Sequence, residues 1–284
     1  MAQALCILHA NCQGEALLPL LENSPAFHPR FRIARYTNYT REHIPQDALK
    51  NAALFLYQRL GEEWGEVSSR RLLDALPPGC TAICIPNLFF KGYWPTWTNR
   101  IRDIEFADTL VESLLARGLS PMEILHLATR EDGALLGDAA KIAEDSIRQE
   151  ETKEQACDIA CSPILREYWR KEQLFLTVNH PGPRLLFHVA DSLLSLLGLA
   201  PLPDAVKRNY AHPDGYFWLP LHPALGRLLH LPFATAQRRY HIFSNELTHR
   251  EYVACYIACR TSGVSNLLGA LRGLPPGYRP DRVV

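Results

Sequence analysis

The feature that most constrains the fold is the alternation of short apolar runs with helix-capable stretches through the first third of the chain. Ala4–Ala10 (ALCILHA) is an apolar run that stops at the polar, small-residue turn Asn11-Cys12-Gln13-Gly14, after which Ala16, Leu17, Leu20 and Leu21 recur at helical spacing. This reads as strand, turn, helix. Residues 31–36 (FRIARY) alternate, Ala52–Tyr57 (AALFLY) and residues 81–85 (TAICI) are runs of the buried type, and the polar stretch 62–76 between the last two is helix-capable. Strands alternating with helices imply an α/β fold, a parallel sheet flanked by helices on both faces, here as a single domain over 1–284. Residues 99–172, rich in Ala, Leu, Glu and Arg, read as a helical insertion within it. Residues 174–178 (LFLTV) return to strand, and 188–197 form an apolar helix closing at Gly198. The C-terminal region is loop-rich: 201–223 is dense in Pro, Tyr, Trp and His, 246–259 is a last helix, and 275–284 an exposed tail.

The 30 basic and 30 acidic side chains cancel, which argues against a binder held electrostatically to duplex DNA or an anionic membrane. Twenty-four of the cations are arginines, the side chain suited to bidentate contact with phosphate or carboxylate, so the zero sum can hide a cationic pocket. Eight cysteines in 284 residues are too sparse for a disulfide scaffold. Residues 1–10 carry no Lys or Arg and too short an apolar stretch for a signal peptide, and no later run approaches a membrane span. The expectation is a soluble cytoplasmic protein with free thiols. Cys80/Cys84, Cys157/Cys161 and Cys255/Cys259 share a four-residue spacing rather than the two-residue gap of zinc sites, so no metal is expected.

Cys12 is the first candidate for chemistry, just past the first strand and at the start of a helix. Ligands of open α/β sheets bind outside the carboxyl ends of the strands. A helix N-terminus lowers a thiol pKa and holds an oxyanion. Gly14 would let the backbone pass close to a ligand. The other seven cysteines sit in apolar segments and read as inert core thiols. His180, in Thr177-Val178-Asn179-His180-Pro181 after the strand 174–178, would reach the same edge as a base for Cys12. His212 and His222, each followed by Pro, are weaker candidates. Gln58 and Asn87 follow the third and fourth strands, where amides can donate to a developing oxyanion or serve as plain turn formers. Between Phe89 and Trp97 the run FFKGYWPTW, followed by Arg100 and Arg102, fits either a wall for a flat ligand or a hydrophobic clamp on the insertion. No GxxxxGK[ST], GxGxxG or HExxH occurs, so the usual signatures of nucleotide hydrolysis, dinucleotide binding and zincin chemistry are missing.

Asn11-Cys12-Gln13-Gly14, Ile85-Pro86-Asn87 leading into Gly92-Tyr93-Trp94-Pro95, and Leu174-Phe175 through Asn179-His180-Pro181 together resemble the WcbI-type polysaccharide biosynthesis family, and Leu219-Pro220 with His222-Pro223 resembles its proline-rich loop. The resemblance implies an acetyl-coenzyme A dependent O-acetyltransferase of capsular or exopolysaccharide biosynthesis. Cys12 would be the nucleophile and His180 the base, with Gln13, Gln58 and Asn87 at the oxyanion. Asn11, Gly14, Arg35, Lys91, Tyr93, Trp94, Arg100 and Arg102 would lie against coenzyme A, the cations taking its phosphates. The acceptor would be a saccharide or nucleotide sugar, with no nucleic acid or integral membrane partner. The arrangement is also similar to SGNH or GDSL hydrolases, with Cys12 at the serine position and Asn87 at the asparagine. Thr177 stands where the Asp of their Asp-x-x-His would fall, so the group orienting the histidine differs. An esterase or thioesterase, and a non-catalytic binder of coenzyme A or a nucleotide sugar, are the alternatives.

Overall fold

A computed structural model describes residues 3–101 and 104–278; Arg102 and the end of the expected tail lie outside them. The chain divides into two compact units, one of residues 1–89, 148–166 and 179–213, the other of 90–147, 167–178 and 214–284. The expected insertion 99–172 therefore contributes to both.

The first unit is built on four parallel strands, β1 (Ala4–Ala10), β2 (Phe31–Thr37), β3 (Ala52–Tyr57) and β4 (Thr81–Cys84), in the order β2-β1-β3-β4. Successive side chains of a strand face opposite ways, and both faces of the central strand are covered. Leu5, Ile7 and Phe55 pack with Leu49 of α2 (Gln46–Lys50) and Leu72 of α3 (Ser69–Asp74). The opposite face, Leu8 and Ala10, meets α1 (Cys12–Glu22), which packs in turn on the helix Pro183–Leu196. Gly14 makes that approach possible, because a Cβ there would stand 2.8 Å from the Cβ of Ala10. The expected α/β sheet flanked by helices is thus present. The stretch 62–76 divides at Ser68 into a 3₁₀ turn, Glu62–Val67, and α3.

The second unit has an aromatic core and short helices. Phe90 meets Tyr93 edge-on at 4.8 Å between centroids, with Trp169 and Phe175 beside it. Thr109–Ala116, Pro121–Ala128 and His249–Thr261 begin at Asp108, Ser120 and Thr248, whose side chains accept from the first-turn N–H groups and so satisfy donors that have no partner within the helix. The strand expected at 174–178 is shorter, Phe175–Thr177, and does not join the four-stranded sheet. The last expected helix starts later than 246, because Asn245–Leu247 pairs with Tyr240–Ile242 before Thr248 caps His249–Thr261.

Candidate functional site

The site grows from the carboxyl edge of the parallel sheet, where the backbone of each strand runs out of ladder partners and side chains take over. Asn11 is the N-cap of α1: its Oδ1 accepts from Gln13 N at 2.9 Å, so Cys12 becomes the first residue of the helix. Asn11 N donates to Gln58 Oε1 at 2.8 Å and Asn11 Nδ2 to Asn87 Oδ1 at 3.1 Å. One residue thereby ties the ends of β1, β3 and β4. Gln58 is completely buried; its Oε1 also accepts from Asn38 Nδ2 at 3.2 Å, and its Nε2 donates to Pro86 O at 3.2 Å. Gln13 donates from Nε2 to Leu88 O at 2.7 Å and to Asn179 O at 2.9 Å, while its Oε1 accepts from Leu88 N at 3.0 Å.

Cys12 is half-buried in the midst of these amides, with Asn179 Nδ2 at 4.0 Å from its Sγ. His180 follows Asn179 directly and is half-buried, so its Cα lies one peptide, about 3.8 Å, from a residue bonded into the network. The peptide beyond it is held by His212, whose Nε2 stands 3.0 Å from Pro181 O. Tyr210, in ring contact with His212, donates to Ala16 O of α1 at 2.8 Å. The structure thus brings Asn11, Cys12, Gln13, Gln58 and Asn87 together at the ends of β1, β3 and β4, and the 179–181 segment joins them through the Gln13 bond although its preceding strand is not part of that sheet.

Several expected roles change. The amide of Gln58 and the backbone N–H of Gln13 are occupied by structural bonds and do not face an oxyanion. Asn87 is exposed, and its Oδ1 takes the bonds from Asn11 and Gln13, which leaves Nδ2 as its donor. Gly14 faces Ala10 and Leu8 rather than a ligand. Tyr93 is completely buried, donating to Trp169 O at 2.6 Å, and Trp94 Nε1 donates to Leu219 O at 3.1 Å. These two rings are core of the second unit, which favours the clamp reading of the aromatic run over the ligand wall. Lys91 also belongs to that unit; burial and the charge of Arg100 hold its ammonium below the ordinary lysine range. Arg35 is paired with Glu15 and Thr37 at 2.8 and 2.9 Å, and Arg100 is exposed. His222 is a buried structural group between Ala128 O and Ala224 N, pushed down to about 4 by burial.

Three participants carried no sequence signal strong enough to single them out. Asn38 and Asn179 are ordinary turn residues until the fold brings them to Gln58 and Cys12. Glu150, on the helix Ala139–Glu154, is 3% exposed and accepts from the backbone of Phe89; burial pushes its carboxyl up to about 7 although Lys153 Nζ is 2.6 Å away. Lys153 Nζ also donates to Asn87 O at 2.7 Å, so this helix supports the loop after β4. Among the described residues no cluster of three or more His, Cys, Asp or Glu is placed to hold a metal, and no helix is long and apolar enough to cross a membrane.

The family model described as polysaccharide biosynthesis enzyme WcbI matches residues 5–202. No curated protein matches the chain. A solved structure of WcbI, described as a novel polysaccharide biosynthesis enzyme in its native form without a disulfide bond between coenzyme A and one of its cysteines, is similar over 95% of this chain and 99% of that one. The TM-score is 0.72 at 19% identity, a likeness of fold. The match over most of the length, on a chain whose first strand, cysteine turn and later Asn-His-Pro segment assemble at one sheet edge, places this protein in the WcbI family of polysaccharide biosynthesis enzymes.

Proposed function

We propose that the protein is an acetyl-coenzyme A dependent O-acetyltransferase acting on a hydroxyl of a saccharide or nucleotide sugar, with Cys12 as nucleophile and His180 as base. The observation that carries this reading is the position of Cys12, half-buried at the first turn of α1, between Asn11 and Gln13 of the amide network and with Asn179 Nδ2 4.0 Å from its sulfur. A helix N-terminus favours the thiolate over the thiol. The solved WcbI structure is described as a native form without a disulfide bond between coenzyme A and a cysteine of that protein, which supports coenzyme A as the ligand here.

In the first step the Cys12 thiolate attacks the thioester carbonyl, and the tetrahedral adduct collapses with loss of the coenzyme A thiolate, which takes a proton from solvent. One thioester is exchanged for another, so the acyl group stays activated. In the second step His180 removes the proton of the acceptor hydroxyl, a role typically worth about 10²–10⁴ in rate, and the alkoxide displaces Cys12. The oxyanion donors in this scheme are Asn87 Nδ2 and Asn179 Nδ2, in place of Gln13 and Gln58. Arg35, in the same unit as Cys12 and near the carboxyl end of β2, is a proposed contact for a phosphate; Arg35→Glu with no change in coenzyme A affinity would remove that assignment.

Release of coenzyme A thiol from acetyl-coenzyme A tests the reading. Beyond the single equivalent that acylates Cys12, release should depend on a saccharide acceptor, and turnover should fall by at least about a hundredfold in Cys12→Ala. Release that ignores the acceptor, with turnover of p-nitrophenyl acetate in water alone, marks an esterase or thioesterase. Coenzyme A binding without turnover marks a non-catalytic binder.

A further inference from the structure

Outside the proposed site, two thiols that the sequence assigns to different four-residue pairs meet each other. Cys84, the last residue of β4, and Cys157, three residues beyond the helix Ala139–Glu154, stand with their sulfurs 3.7 Å apart in a hydrogen bond. The backbone holds them there. Cys84 N donates to Asp158 Oδ2 at 2.6 Å and Asp158 N donates to Cys84 O at 2.9 Å, so the residue next to Cys157 is clamped to Cys84 from both sides. A disulfide needs the sulfurs to close from 3.7 Å to roughly 2.05 Å. All eight cysteines are reduced.

We propose that Cys84 and Cys157 are a redox-active dithiol that a peroxide converts to a disulfide, tethering the Asn87 loop to the end of the helix Ala139–Glu154. The hydrogen bond with Cys157 holds the Cys84 thiol below its ordinary value despite burial, so Cys84 is the attacking sulfur. Its thiolate attacks one peroxide oxygen, forming a sulfenic acid and releasing hydroxide. The Cys157 sulfur then attacks the Cys84 sulfur and displaces a second hydroxide. Protons from the two thiols convert both hydroxides to water. Two thiols and one hydrogen peroxide thus give one disulfide and two waters, with two electrons passing from sulfur to the O–O bond. Cys84 is 3% exposed, which suits an oxidant close to water in size, while Cys157 is half-exposed.

The tether encloses the bond from Lys153 Nζ to Asn87 O, since Lys153 lies four residues before Cys157 and Asn87 three residues after Cys84. Oxidation therefore fixes the loop that carries Asn87, and this consequence does not depend on the acyl-transfer reading. The test is non-reducing peptide mapping of the full-length wild type after hydrogen peroxide, at a dose that oxidises free glutathione in the same tube. The expected result is a cross-linked peptide pair containing Cys84 and Cys157, lost on dithiothreitol. Cys157→Ser should instead leave a dimedone-reactive sulfenic acid on Cys84. Amide exchange across 85–89 should slow in the oxidised protein and recover on reduction. Separate alkylated peptides for the two cysteines, or a cross-link of Cys84 to any other residue, would overturn the proposal. Unchanged exchange across 85–89 would overturn its tethering part.

Discussion

Gln13 has bonds to both backbone groups of Leu88 and to Asn179 O, so a single side chain satisfies buried polar groups on two segments beside Cys12. Gln13→Ala leaves those groups without partners and should lower stability by about 2–3 kcal/mol in denaturant unfolding. Acyl transfer should fall with it even where the variant is folded, because Asn87 and Asn179 lose their common anchor. Gly14 is set by the Cβ of Ala10, which cannot rotate away. Gly14→Ala gains helix propensity of about 1 kcal/mol but forces α1 off β1; a net loss of about 1–2 kcal/mol is expected by thermal unfolding. Glu150 adds a pH signature. Its folded pKa, about 7, lies above the ordinary 4.5, so the folded state binds the extra proton. Its contribution is full below about pH 4.5 and is lost as pH rises through about 7, up to roughly 3 kcal/mol. Because Gln mimics the protonated carboxyl, the urea midpoints of wild type and Glu150→Gln should lie closest near pH 4 and separate toward pH 8, wild type falling relative to the variant.

At the scale of elements, the N-terminus of α1 was readable because its signals agree: an apolar strand, a polar small-residue turn and helical spacing fall within twenty residues. Asn11→Ala should cost about 1 kcal/mol from the cap alone, and more here because Asn11 also bonds Gln58 and Asn87. The run from Phe89 to Trp97 was legible as aromatic, yet its side of the protein was not. Tyr93 and Trp94 find their hydrogen-bond partners at residues 169 and 219, far away in sequence. Local pattern carries no record of such pairings. The run 174–178 does contain a strand, Phe175–Thr177, but its sheet was not legible for a related reason, since an apolar run states that it is buried and not which sheet it joins. Gln58 and Asn87 were correctly placed at strand ends, but whether an amide serves a ligand or its neighbours depends on which atoms stand opposite, and only the assembled edge shows that.

For the whole molecule, the balanced charge says little about the candidate site, which is made of neutral amides, a thiol and a histidine segment. The titration of the fold is governed instead by buried groups in both units. Burial lowers His9 and His222 to about 4 from 6.5, so each contributes stability at neutral pH that is lost as pH falls through that window. Their combined slope opposes that of Glu150 and exceeds it. The urea midpoint should therefore drop between about pH 6.5 and 4, and drop more steeply in Glu150→Gln; a midpoint that is flat or rises toward acid would contradict this assignment of neutral buried imidazoles. The proposed acyl transfer by this protein turns on one bond, between Cys12 and the acyl group. Intact-protein and peptide mass spectrometry of a rapidly acid-quenched mixture with acetyl-coenzyme A, without acceptor, tests it most directly. The expected result is one acetyl group on the peptide bearing Cys12, absent in Cys12→Ala and discharged by a saccharide acceptor; an unmodified Cys12 peptide under conditions where acetyl transfer proceeds would contradict it.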